Sequence, residues 1–243
     1  MKAIVFIAIT LLAGAIAGTI LGVVNQVAVE PYIEHAIELE MQNAAQSSQI
    51  INSDEFNAYR FWHRGGEIVA GTILGLSIGS LFGIVFAYTH NSIPGSNNKK
   101  KALIIAGIMW FVLFLIPALK YPANPPAVGD PETIYYRQTL HVAFLAISGF
   151  SALGLAFLYR KMGSLNSQKV IIPTAYAVII AGAYLSMPSS PDSINAPMDL
   201  VIGFRIASAI TLSIFWGLLG VIFGAFWDKL NPDKTTRISI RQK

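Results

Sequence analysis

Residues 68–88 read IVAGTILGLSIGSLFGIVFAY, twenty-one residues without a charge. A bilayer core takes about 20 apolar residues of helix. Glycine recurs at Gly71, Gly75, Gly79 and Gly83, four residues apart. Side chains at that spacing share one face of a helix. The stretch therefore reads as a membrane-crossing helix with a seam of small residues, where another backbone can approach closely inside lipid.

Working outward from this span, five more stretches of similar character run roughly over 4–24, 102–119, 139–159, 170–187 and 206–227. Those at 102–119 and 170–187 are short and carry Pro117 and Pro173, which are tolerated where neighbouring helices satisfy the freed backbone. The first span has its own seam of Gly14, Gly18 and Gly22, and the sixth carries Gly220 and Gly224, with Ser213 and Gly217 on a neighbouring stripe. The predicted fold is all-α. It is a single integral membrane domain over residues 1–243, with six transmembrane helices and an extracytoplasmic amphipathic helix between the first two. The first span could instead be a cleaved secretory signal, since Lys2 precedes it. Its length favours retention, because a signal's apolar core runs to about 7–15 residues. No long-period repeat is present, so an inverted-repeat transporter is not expected.

The composition agrees. Of 243 residues, 54% are hydrophobic and only 12% charged, against about 25% charged in an average soluble domain. Mean hydropathy is +0.57. An ordinary soluble enzyme, a disordered chain and a nucleic-acid binder are all excluded by this balance. There is no cysteine, which removes disulfides, thiolate metal ligands and a cysteine nucleophile.

The charges sort by loop. One alternating set of loops and termini carries Lys2, Lys99–Lys101, Arg160, Lys161, Lys169 and the five basic residues of the tail 228–243. That makes twelve basic residues against two acids, Asp228 and Asp233. The other set carries five basic residues, Arg60, Arg64, Lys120, Arg137 and Arg205, against eleven acids. The positive-inside rule places the first set, with both termini, in the cytoplasm of a cell-membrane protein. The basic tail reads as a topology signal and a contact for anionic lipid.

The non-cytoplasmic side holds eight of the twelve prolines, and its first segment, 25–67, is the longest. Pro31 suits the first turn of a new helix. Ile33, Ala36, Ile37, Met41 and Ala44 then recur on one face, and Glu34, His35 and Glu38 fall in an adjacent sector. Glu30 precedes this helix, Gln46–Ser53 reads as a polar turn, and Asp54, Glu55, His63 and Glu67 follow. His141 lies in the first turn of the fourth span, where a polar group normally faces the bundle interior.

Carboxylates and imidazoles at such spacing suit a divalent transition metal. Glu30, Glu34, His35, Glu38, His63, Glu67 and His141 are the candidate metal residues. The same acids also suit a solvated face that keeps an extracellular helix soluble. No HExxH motif is present, so a catalytic zinc site is not indicated. No acid or histidine sits at a span centre. A site deep in the membrane would use backbone carbonyls and hydroxyls such as Thr72, Ser77, Ser80 and Ser151. Arg205 either snorkels or pairs with Asp199; alternatively, Arg137 and Arg205 lock the outer loops through buried ion pairs, a structural role favoured over ligand binding because two guanidiniums would repel a cation.

Residues 107–138, GIMWFVLFLIPALKYPANPPAVGDPETIYYRQ, and 204–226, FRIASAITLSIFWGLLGVIFGAF, resemble the CbtA family of predicted cobalt transporter subunits. So does the opening, a small-residue span followed by Glu34, Glu38 and Glu40 and by Gly65-Gly66-Glu67. Thr139-Leu140-His141 departs from the aromatic residues expected after Arg137-Gln138. The resemblance implies cobalt uptake linked to cobalamin synthesis, with Co²⁺ (or Ni²⁺) as substrate and no permanently bound cofactor. It also implies a small single-span CbtB-like partner. A homo-oligomer is compatible with the seams. A non-transporting scaffold within a larger complex is the alternative. An intramembrane enzyme would need paired catalytic groups at one depth, and none is found beyond His141 near the interface. There is no GxxxxGK[ST] phosphate loop, so ATP is not hydrolysed in that manner.

Overall fold

The computed structural model describes residues 2–46, 53–93, 95, 97–126, 128–162, 168–191, 194 and 196–232. Their side chains are described too, except those of 43–46, 53–64, 162, 168 and 169. The elements in order are α1 (Ala3–Ala28), α2 (Glu30–Gln46), α3 (Ser53–Thr89), α4 (Asn98–Trp110), a π-helical segment (Phe111–Leu115), α5 (Ile116–Lys120), α6 (Ile134–Met162), α7 (Gln168–Ser186) and α8 (Met198–Leu230). Short 3₁₀ turns cover His90–Ser92 and Pro131–Thr133, and no strand occurs among the described residues.

This is a polytopic helical membrane protein. Five stretches are long and apolar enough to cross a bilayer: Ala3–Ala28, Gly65–Ser92, Asn98–Lys120, Pro131–Lys161 and Met198–Leu230. A sixth apolar helix, Val170–Ser186, is shorter. Its 17 residues rise about 26 Å at 1.5 Å each, at the lower limit for a core about 30 Å thick.

The connection between the first two spans is more helical than an outer loop. α1 ends at a single turn residue, Val29, whose N–H donates to Asn25 O. α2 starts at the next residue, with Pro31 in its first turn, where no amide is needed. α3 is 37 residues long. Nothing in 53–66 obliges a break, since Gly65 and Gly66 each cost only about 1 kcal/mol in a helix. Most of the expected polar turn, 47–52, lies outside the described residues.

The chain divides into two compact units. Unit 1 comprises residues 1–31, 41–108 and 207–243, and unit 2 comprises 32–40 and 109–206.

Unit 1 is built on two close helix crossings. In the first, α1 and α3 meet glycine to glycine. A Cβ placed on Gly79 would lie 2.7 Å from Gly14 Cα, and one on Gly22 would lie 2.7 Å from Ile68 Cα. Thr19 and Thr72 hydroxyls bond across the same seam at 2.8 Å. In the second, Gly224 of α8 faces Lys99 of α4, where a Cβ would come within 2.6 Å of Lys99 Cα, and Gly220 faces Ala106. Asn98 Nδ2 donates to Asp228 Oδ1 at 2.8 Å beside this crossing. Gly217, on the neighbouring stripe, has nothing within 4 Å. A buried aromatic cluster of Phe82, Phe86, Phe223 and Trp227 packs edge-on and stacked, with His90 stacked 5.0 Å from Phe86. Lys2 N–H donates to Pro232 O at 2.8 Å.

Unit 2 centres on Tyr121, Leu140, Phe144 and Ile180, with Ile116, Tyr176, Ala183 and Met187 packed around them. Gly203 of α8 gives room to the ring of Tyr32 on α2. Lys120 Nζ donates to the carbonyls of Tyr184 (2.6 Å) and Met187 (2.9 Å), satisfying the end of α7. Tyr121 Oη donates to Pro188 O at 2.6 Å. Burial, and secondarily Tyr136, raise the Tyr121 phenol above its ordinary pKa.

Candidate functional site

The seven candidate metal residues fall on three helices, α2, α3 and α6, and in both units. Glu30, His63 and Glu67 belong to unit 1, whereas Glu34, His35, Glu38 and His141 belong to unit 2.

In unit 1, Glu30 sits one residue past the turn that ends α1 and is 6% exposed. Glu67 lies on α3 where α3 passes α1, and a Cβ on Gly22 would be 3.0 Å from its main-chain oxygen. Asn25 is about one helical turn beyond Gly22, on the same face of α1. Asn25 Oδ1, Glu30 Oε2 and Glu67 Oε2 are buried oxygens that accept no hydrogen bond, although both glutamates are engaged through other interactions. His63 is on α3, and its side chain lies outside the described residues.

In unit 2, α2 buries Ile33 and Ala36 and leaves His35 and Glu38 exposed, three residues apart on the opposite side. Glu34 is half-buried between the two faces. The amphipathic reading of this helix matches that pattern. His141 is half-buried near the start of α6. Among the described residues, no three or more His, Asp or Glu side chains group so as to hold a metal ion.

The hydroxyls expected to serve inside the spans are mostly committed. Thr72 bonds to Thr19 and to Ile68 O, and Ser77 and Ser80 bond back to Ile73 O and Leu76 O of their own helix. Arg137 and Arg205 hold the loop between α5 and α6, with hydrogen bonds that include several to neutral oxygens. Arg137 donates to Val128 O and Asp130 O at 3.2 Å each and to Thr133 Oγ1 at 3.1 Å. Arg205 donates to Ala123 O at 3.1 Å and Asn124 Oδ1 at 2.6 Å. A guanidinium offers five donors in a planar fork, so one side chain can serve several main-chain carbonyls of a turn at once. Asp130 is used differently, capping the 3₁₀ turn by accepting from Glu132 N–H at 2.9 Å.

Ser148 and Tyr176 are polar residues at mid-span that the sequence reading passed over. Ser148 is fully buried, donates to Val112 O at 2.6 Å and lies 2.7 Å from Tyr176 Oη. The available signal was Pro117, since a proline inside a span leaves a carbonyl in need of a donor.

Neither the curated proteins nor the solved structures include a match to this chain. A protein-family model does match, over residues 4–228. That takes in nearly the full length of the apolar helices described above, and the chain therefore belongs to the CbtA family, described as a probable cobalt transporter subunit.

Proposed function

We propose that the chain is the membrane subunit of a cobalt uptake system that serves cobalamin synthesis, with Co²⁺ as substrate and Ni²⁺ as a competing ion. The family match over nearly the whole length carries this reading. The charge pattern supports an orientation in the cell membrane with six spans and both termini in the cytoplasm. The acidic segments then face outward. Glu30, Glu67 and the exposed Glu38 and His35 draw divalent cations toward the helix ends, with Glu34, His63 and His141 nearby in sequence or on the same side. Their role is capture and delivery, and no covalent chemistry is proposed for them.

A subunit works with others, and a small single-span CbtB-like protein is the proposed partner. The membrane potential supplies about 4.6 kcal/mol per 100 mV for a divalent ion entering the cell, at 2.3 kcal/mol per charge. Uptake of radiolabelled cobalt into vesicles holding this chain, with and without the partner, tests the reading. Accumulation that depends on an inside-negative potential is expected. Uptake no faster than through protein-free lipid, with the partner present, would leave the scaffold role in its place.

A further inference from the structure

The centre of unit 2 contains a polar chain to which the transport reading gives no task. α4 and α5 are joined by the π-helical segment, where Ile116 N–H reaches back five residues to Phe111 O. In that register the donor for Val112 O would be residue 117. That residue is Pro117, which has no N–H. Val112 is buried, so its carbonyl has no water to turn to. Ser148 of α6 fills the gap from 36 residues away, donating at 2.6 Å. A carbonyl only accepts, so the serine proton is committed to it. Tyr176 Oη, 2.7 Å from Ser148 Oγ, is then the donor of the second bond. The order is Tyr176 to Ser148 to Val112, linking α7, α6 and the π-helical segment. Ser148 is the central residue of the 29-residue α6.

A groove of about 560 Å³ runs along the same place, lined by Phe111, Ile116, Pro173, Tyr176, Ala177 and Ile180, among others. The π-helical segment thus borders an apolar groove on one flank. A π-bulge and a proline are two of the recognised causes of bending in helices, and here they are adjacent.

We propose that Ser148 and Tyr176 are the latch of a hinge in this span. While the two bonds hold, residues 111–117 are fixed against α6. When the serine hydroxyl lets go, the Val112 carbonyl loses its donor and the segment bends toward the groove, moving α5. Resting on the transport reading, the latched state is the closed one, and the frequency of release limits ion passage.

Val112-Leu113 is the only Val-Leu pair in the sequence. Carbonyl-¹³C valine with ¹⁵N leucine therefore isolates one carbonyl signal in solid-state NMR of the full chain in bilayers. Ser148→Ala is expected to move that signal to the position of an unbonded carbonyl. Tyr176→Phe keeps the serine bond but weakens it. It is expected to raise the released population about three- to tenfold, the range of one hydrogen bond in a membrane protein, seen as a second or exchange-broadened signal. Cobalt uptake with the partner subunit should rise by a similar factor in Tyr176→Phe. An unmoved signal in both variants overturns the hinge. A shifted signal with unchanged uptake overturns its role as a gate. Absence of uptake by the wild-type pair would count against the transport reading, while the carbonyl signal would still judge the hinge.

Discussion

Gly18 of α1 and Gly75 of α3 face each other so closely that neither position has room for a methyl group. A Cβ on Gly18 would lie 2.8 Å from Gly75 Cα, and one on Gly75 would lie 2.6 Å from Gly18 Cα. The obstacle is main chain on both sides, which cannot rotate away as a flexible side chain would. Close backbone approach maximises dispersion contacts where lipid removes the hydrophobic drive between helices.

Gly18→Ala and Gly75→Ala should each destabilise the protein by about 1–3 kcal/mol, the usual cost of overpacking. Gly182→Ala on α7 has open space around it. It should be neutral or stabilising by up to about 1 kcal/mol through helix propensity. Reversible unfolding in mixed micelles would compare the three. Equal effects at Gly75 and Gly182 would contradict the seam.

Lys120 ties α5 to the end of α7. Its ammonium lies 4.5 Å from the centre of the Tyr184 ring as well as bonding two carbonyls. Lys120→Met preserves the stem and removes the charge. A loss of about 1–2 kcal/mol is expected, because hydrogen bonds to a charged group are stronger than neutral ones. Hydrogen exchange should speed up at the C-terminal end of α7 and remain unchanged in α1.

The loop between α5 and α6 depends on two arginines. Val128 within it is 5% exposed. Since the chain has no cysteine, Val128→Cys introduces a single thiol. Its labelling by a water-soluble maleimide should be slow with Arg137 and Arg205 in place. Arg137→Gln or Arg205→Lys should accelerate it about tenfold, since lysine cannot reproduce the planar fork. Unchanged labelling would mean that the loop holds its shape without them.

If the acids gather cations, Glu30→Gln and Glu67→Gln together should raise the cobalt concentration for half-maximal uptake about threefold and spare the maximal rate. The difference should shrink as salt rises from 10 to about 150 mM, where the Debye length falls to about 8 Å. A loss of maximal rate with an unchanged half-saturation point would argue against a capture role.

Helical class, the apolar spans, the glycine spacing and the amphipathic face of α2 were all legible in the sequence. Each is a local property, fixed by the 3.6-residue turn and by the free energy of placing side chains in lipid. The tertiary structure decided what lies across from each face. It matched Gly14, Gly18 and Gly22 to α3, gave Gly220 and Gly224 to α4, and left Gly217 with open space. It also placed Glu30 in a buried position and turned Arg137 and Arg205 toward carbonyls. Pro117 announced that a carbonyl would need help, but its spacing could not name Ser148, which is 36 residues from Val112. Partners of that kind are chosen by long-range packing, and no periodicity along a single helix encodes them.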